Sequence, residues 1–197
     1  MNALHKSCTL ILGAACFGFS SLALAQTNSS QEPTTQAASR AQPPNQLDRA
    51  ERDFIQKAAM GGLAEVELGT LAQQRASSEQ VKSFASHMVR DHVIVNADLK
   101  QTVAGKGIQL PSSLDHEHQG DVARLKDLSG LAFDRAYMEQ MVDDHKKDVK
   151  EFQRAAESSS DSSIKSFASK TLPTLQEHLR LAESTRESVR GAGSATK

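Results

Sequence analysis

The stretch VKSFASHMVRDHVIVNADL, residues 81–99, predicts an α-helix with one buried face. Six of its residues share that face because they are spaced alternately by four and three positions: Val81, Ala85, Met88, His92, Val95 and Leu99. Only His92 is not apolar. A buried polar group without a partner costs about 1–3 kcal/mol, so His92 needs a partner from elsewhere in the chain.

Three further long stretches show the same helical spacing, and none shows the alternation of a half-buried strand. The predicted long helices span about residues 47–75, 77–105, 131–157 and 162–189, and a shorter helix spans about 114–128. Ser77, with Gln80 three residues later, has the pattern of a capping box at the start of the second long helix. Pro173 predicts a kink in the fourth, because proline removes a backbone donor.

A weak internal repeat relates the first two long helices to the last two. The blocks VKSFAS at 81–86 and IKSFAS at 164–169 are 83 positions apart, and the same shift carries Ser77 onto Ser160. A duplicated helical hairpin buries its two apolar faces most simply as a four-helix bundle. We therefore predict an all-α four-helix bundle of duplicated hairpins, with a short extra helix in the connection between the second and third long helices.

The two ends of the chain differ in composition from the helical part. Residues 1–25 have the features of a signal peptide: Lys6 precedes an apolar run, and Ala-Leu-Ala at 23–25 is a small-x-small cleavage site. Residues 26–46 lack large apolar residues and contain three prolines, which predicts a disordered linker. The predicted organisation is a signal peptide (1–25), a linker (26–46), a bundle domain (47–190) and a disordered tail (191–197).

Export and charge restrict the class of protein. Cleavage would leave no transmembrane anchor and would place the domain in the periplasm or outside the cell, although Cys16 leaves a lipoprotein as a minor alternative. Both cysteines, Cys8 and Cys16, lie in the predicted signal peptide, so the mature chain would have no disulfide and no thiolate ligand. Without Lys6, the mature chain would have 22 basic and 24 acidic residues. This balance gives no basic surface for a nucleic-acid partner.

Each predicted long helix has one metal-competent polar residue on its buried face. In chain order these are Glu65, His92, His145 and His178. They lie 12 to 18 residues from the nearer hairpin turn, and at a rise of 1.5 Å per residue their depths agree to within about 9 Å. They can therefore form one belt, whether the connection between the second and third long helices is short or crosses over.

Two interpretations of this belt are open. Imidazole and carboxylate suit Fe, Zn, Cu and Mn, so the residues indicate a transition-metal site in the core. Alternatively, Glu65 pairs with the histidines in a buried hydrogen-bond network that fixes the helix register. A di-iron bundle needs Glu-x-x-His pairs on two helices, and Val89 and Leu175 stand three residues before His92 and His178. One glutamate and three histidines indicate a mononuclear site or one that has lost its metal.

Side chains near the histidines refine these interpretations. Met88 and Met141 lie one helical turn from a core histidine and would favour copper if they faced inward, although methionine at this spacing usually fills a core. Three acids directly precede the histidines: Asp91, Asp144 and Glu177. Adjacent helical residues point about 100° apart, so we interpret these acids as surface charges rather than as groups that support the ligands.

Three blocks carry a resemblance to a known family: FIQKAAMGGLAEVELGTLAQQRASSEQVKSFASHMVRDH from residue 54, LAFDRAYMEQMVDDHKKDV from 131 and LPTLQEHLRLAE from 172. They resemble domain of unknown function 4142, an exported bacterial family grouped with ferritin-like bundles. The resemblance covers residues 54–182 and implies a ferritin-like four-helix fold and export. Its matching polar positions are Glu65, His92, Tyr137, His145 and His178. The family has no established activity.

The combined prediction is an exported ferritin-like bundle whose Glu/His cluster binds Fe, Zn, Cu or Mn and serves envelope stress or metal handling. The alternative is a non-enzymatic structural or interaction protein whose core Glu and His groups form a hydrogen-bond network. Such a protein could associate with itself as a homo-oligomer. An enzyme acting on oxygen or peroxide ranks last, because the residues offer no specific nucleophile or substrate pocket. The metal hypothesis loses most of its support if the head groups of Glu65, His92, His145 and His178 do not converge.

Overall fold

The computed structural model describes residues 47–192. This part of the chain contains no strand and five α-helices: α1 (Arg49–Arg75), α2 (Glu79–Thr102), α3 (His116–Lys126), α4 (Gly130–Ser158) and α5 (Ser162–Ala192). The predicted signal peptide, the predicted linker and residues 193–197 lie outside the described residues. Among the described helices, none is long and apolar enough to cross a membrane. The all-α prediction is confirmed, including the short helix between the second and third long helices.

The four long helices pack as two antiparallel hairpins, α1 with α2 and α4 with α5, and the hairpins meet where α2 contacts α5 and α1 contacts α4. Phe54 near the start of α1 lies against Phe152 near the end of α4, with 5.0 Å between ring centroids. Helices α1 and α4 are therefore antiparallel, and α2 and α4 run in the same direction. The segment from α2 to α4 must return along the bundle, as in ferritin-like folds with one crossover.

The apolar core is divided into two clusters, one toward each end of the bundle. On α2, Met88 belongs to one cluster and Leu99 to the other, and His92 lies between them. His145 on α4 and His178 on α5 have the same intermediate position, while Glu65 lies at the edge of the first cluster. We call these four residues the polar layer. The predicted belt is thus a layer that interrupts the core.

Each hairpin turn is held by a carboxylate from the other hairpin. Asp134 of α4 accepts hydrogen bonds from both backbone amides at residues 77–78 and from the hydroxyl at 77. Glu51 of α1 accepts the equivalent three bonds from residues 160–161. Both acids are buried, and they are 83 positions apart, as are the two turns. This pattern follows the repeat seen in the sequence, and the duplication itself stays a prediction.

The predicted capping box at the start of α2 is wrong. The helix begins at Glu79 after Ser78, and the Ser78 side chain makes no capping hydrogen bond. The Ser77 hydroxyl donates instead to Asp134, 57 residues away. In a capping box this hydroxyl would accept from the backbone amide of Gln80, whereas here it donates, together with the two turn amides, to a charged carboxylate, which is a strong acceptor. At the other end of the chain, α5 continues through Pro173 and extends to Ala192, past its predicted end.

Candidate metal centre

Three of the four residues in the polar layer converge at its centre. The ring centroids of His92 and His145 are 5.8 Å apart, and those of His178 lie 5.3 Å from His92 and 5.4 Å from His145. One nitrogen from each ring lies within 4.8 Å of the other two. In a tetrahedral zinc site the ligand nitrogens are ~3.4 Å apart, so a small contraction of this triangle would bring the three nitrogens to coordination distance.

The hydrogen bonds of two rings determine which nitrogen is available. His145 Nδ1 donates to the Met141 carbonyl at 2.8 Å, and His178 Nε2 donates to the Asp91 carboxylate at 3.0 Å. Both acceptors lack a proton in their ordinary states, so the ring nitrogens must be the donors. His145 Nε2, His178 Nδ1 and both nitrogens of His92 have no hydrogen-bond partner within residues 47–192. Lone pairs therefore remain on all three rings.

Burial keeps these imidazoles neutral. Burial lowers the pKa of His92 well below 6.5, and the neighbouring His145 and His178 lower it further. Burial, with a contribution from His178, lowers the pKa of His145 to about 4. Burial also lowers the pKa of His178, although the hydrogen bond to Asp91 opposes this shift. Neutral imidazole is the form that binds metals, so the triangle is ready to coordinate near neutral pH.

Glu65 lies beside the triangle rather than among its three ligand atoms. Its Oε1 is 3.7 Å from His145 Nδ1, the nitrogen that already donates to Met141. Burial raises the pKa of Glu65 well above 4.5, and the nearby Asp148 and Asp144 raise it further. Burial, with Asp144, also raises the pKa of Asp148 to about 7. Glu65 therefore retains its proton at a pH where an ordinary carboxyl has lost it.

Tyr137, a matching position of the family resemblance, is fully buried close to Glu65. Burial and the charge of Glu65 raise the pKa of the Tyr137 phenol well above 10. The Tyr137 hydroxyl and Glu65 Oε2 have no partner in the described part of the chain. Buried polar groups in folded proteins are nearly always paired, so this concentration of unpaired atoms around the triangle is typical of a binding site. Met88 and Met141 are buried in the first apolar cluster.

Asp91 and His87 are functional candidates that the sequence interpretation missed. Asp91 was expected to be a surface charge, yet its side chain is only 22% exposed and accepts from His178 of the neighbouring helix. His87 Nε2 lies 3.1 Å from the same Asp91 oxygen. The spacing of four between these two residues is a signal that places them on one face of α2. Glu177 pairs with Arg180 at the surface, as expected for a surface acid.

The family model for the domain of unknown function DUF4142 matches residues 35–185, and the comparison with curated proteins gives no match. A DUF305 fragment from Deinococcus radiodurans has a TM-score of 0.63 at 15% identity, covering 72% of this chain and 98% of that one.

Two further solved structures share the fold. CopM in its Cu(II)-bound form has a TM-score of 0.60 at 15% identity, covering 70% of this chain and 96% of that one. A DUF305 protein of Streptomyces coelicolor, described as a candidate secreted protein, has a TM-score of 0.57 at 16% identity, with coverages of 68% and 88%. At these identities the likeness is one of fold. The family match extends over most of the sequence, and this chain therefore belongs to the DUF4142 family.

Proposed function

We propose that this protein binds one transition-metal ion at the centre of the bundle, through His92, His145 and His178, and that it serves metal handling or envelope stress after export. The observation that supports this function is the convergence of three buried neutral imidazoles that retain unpaired nitrogens. The signal-peptide features of residues 1–25 support the location. Glu65 belongs to the surroundings of the ion in this proposal rather than to its ligands.

The donor set restricts the metal. Imidazole suits Zn, Cu, Fe and Ni, whereas Mg and Ca prefer sites made of oxygen ligands. Divalent copper binds a given nitrogen site more tightly than its first-row neighbours, and a fold relative is known in a Cu(II)-bound form. Copper and zinc are therefore the ions to test first. When bound, the ion would supply a Lewis-acidic centre held by the three imidazoles.

The surrounding residues would hold the ligands in place. The Met141 carbonyl fixes His145 with Nε2 free, and Asp91 fixes His178 with Nδ1 free. A partner on the far nitrogen orients a ligating ring and raises its basicity. Glu65 in its protonated form adds no charge beside the triangle. The apolar clusters on both sides keep water away from the site, which favours retention of a metal.

Metal titration of the chain, produced without a histidine tag, tests this function. We expect one tightly bound Cu²⁺ or Zn²⁺ ion per chain by calorimetry and elemental analysis, and loss of this tight binding in the His92→Ala/His145→Gln double variant. His116→Ala is the matched control, because His116 is exposed on α3. Circular dichroism verifies that each variant is folded. Equal and negligible binding by the original chain and the double variant would rule out the metal function.

A structural role for the polar layer is the second candidate function. The bond from His178 to Asp91 joins α5 to α2, which supports a layer that fixes how the helices pair. Such a network would need closed hydrogen bonding, however, and His92 has no partner for either nitrogen within the described residues. The two functions differ in the effect expected on stability when all three histidines are replaced.

A further inference from the structure

We propose that His87, Asp91 and His178 form an outer cation site through which a metal ion reaches the buried histidine triangle. This inference rests on the metal-binding function proposed above. One ligand atom from each of these three residues lies within 4.8 Å of the other two. The Asp91 carboxylate oxygen is 3.1 Å from His87 Nε2 and 3.0 Å from His178 Nε2. Two imidazoles and one carboxylate are a suitable ligand set for Zn²⁺ or Cu²⁺.

The outer site reaches solvent, whereas the triangle does not. The side chains of His87 and Asp91 are 37% and 22% exposed, and that of His178 is 1% exposed. His92 and His145 are 3% and 0% exposed. A hydrated cation has to lose its water before it enters the core, and the outer ligands can replace that water one molecule at a time. The charge of Asp91 would also raise the local concentration of cations.

His178 belongs to both sites and joins them. Its Nε2 faces Asp91, and its Nδ1 is buried without a partner among residues 47–192. The His178 ring centroid lies 5.5 Å from that of His87 on one side, and 5.3 Å and 5.4 Å from those of His92 and His145 on the other. At the outer site the ion would bind His178 Nε2 in the tautomer that carries the ring proton on Nδ1, and the proton would return to Nε2 when the ion binds Nδ1 in the triangle. An ion could therefore pass from the outer site to the triangle along one imidazole, with one exchange of tautomer.

Arg90 gives the outer site a means of closing. Its guanidinium contacts Asp91 Oδ1 at 3.2 Å and His87 Nδ1 at 2.6 Å. Arg90 is therefore paired with the carboxylate that would otherwise attract a cation. The Arg90 side chain is 60% exposed and can move into solvent. Arg90→Gln should therefore accelerate loading, because it removes a competing positive charge while the three outer ligands remain.

Loading kinetics test this route, with intrinsic fluorescence as the readout. The chain has one tyrosine and no tryptophan, so quenching of Tyr137 emission by Cu²⁺ reports arrival in the core without an added label. In stopped-flow mixing, we expect His87→Ala to slow both association and release by roughly tenfold, which corresponds to about 1.4 kcal/mol in the barrier between solvent and the triangle. The equilibrium Kd should stay within about threefold, because a site on the route changes both rates equally.

Matched variants separate the outcomes. His116→Ala should leave both rates unchanged, and Arg90→Gln should raise the association rate. In His145→Gln, a weaker Cu²⁺ site should remain, and the added His87→Ala change should abolish it. Loading of His87→Ala at the original rate, with the triangle still binding, would overturn the outer route alone. Absence of tight Cu²⁺ binding in the unaltered chain would instead overturn the proposed function.

Discussion

His145 shows how a single side chain combines a structural bond with an open ligand position. Its Nδ1 is satisfied one turn earlier by the Met141 carbonyl, so the ring is held within its own helix. Its Nε2 faces the layer without a partner in the described chain. Burial of the ring, with a contribution from the neighbouring His178, favours its neutral form and lowers its pKa to about 4.

The unfolding free energy should fall in mild acid because of His145. Its pKa is about 4 in the folded chain and about 6.5 when unfolded, so the unfolded chain binds more protons between these values. The contribution of His145 is therefore complete above pH 6.5 and is lost as the pH falls toward 4. At pH 5 the loss amounts to roughly 2 kcal/mol.

Urea unfolding at pH 7.5 and pH 5, with a chelator present, measures this effect. His145→Gln has no titrating ring at this position, so its loss of stability between the two pH values should be smaller by roughly 2 kcal/mol. Glu65 and Asp148 titrate in both chains and do not account for a difference between them. Parallel curves for the two chains would show that His145 does not resist protonation in the folded state.

The helices of this bundle are joined at their turns by acids from distant parts of the chain. Asp134 caps the turn between α1 and α2, and Glu51 caps the turn between α4 and α5. The bonds from residues 160–161 lower the pKa of Glu51 although burial opposes this shift. Each hairpin therefore depends on the other for the pairing of its turn amides. The two hairpins should fold as one cooperative unit rather than separately.

Removal of either acid should destabilise the whole bundle. Asp134→Ala removes the acceptor of three hydrogen bonds from residues 77–78, and Glu51→Ala does the same for residues 160–161. We expect each change to lower the unfolding free energy by about 2–4 kcal/mol, because these are hydrogen bonds to a buried charge. Chemical denaturation measures the loss. Glu139→Ala, at an exposed position of α4, should change stability by less than about 1 kcal/mol.

Across the bundle, the polar layer separates two apolar cores that would otherwise be continuous. Three imidazoles with unpaired nitrogens at this position lower the stability of the metal-free fold. Proteins retain such groups at functional sites at some expense in stability. The crossover topology brings one histidine from each of α2, α4 and α5 to this layer, so any ion bound there would hold both hairpins together.

Replacement of all three histidines by leucine distinguishes the two candidate functions. If the layer serves to bind metal, the unfolding free energy of the triple variant should be about 1–4 kcal/mol higher than that of the metal-free original chain. The reason is that buried polar groups are exchanged for apolar ones of similar size. It should also lose Cu²⁺ and Zn²⁺ binding. If the layer is instead a structural network, the same variant should be less stable or lose its unique fold. Denaturant titration with a chelator decides between them.

Helical periodicity is a property of neighbouring residues along one chain, and for that reason much of this protein could be predicted. The spacing of apolar residues predicts all four long helices and the buried positions of Glu65 and the three histidines. The family resemblance was recognised from the same blocks and is confirmed by the family match. These features depend on local backbone geometry, which the sequence specifies directly.

Contacts between helices depend on how each helix is rotated and on which helix it meets. Asp91 stands beside the buried stripe of α2, and only the packing of α5 against α2 turned it from an expected surface charge into the partner of His178. The packing of α4 against the first hairpin likewise left Glu65 outside the triangle and gave Ser77 an acceptor 57 residues away. Hydrogen bonds act over about 3 Å, so a small rotation of a helix exchanges one partner for another, and the folded bundle alone selects among them.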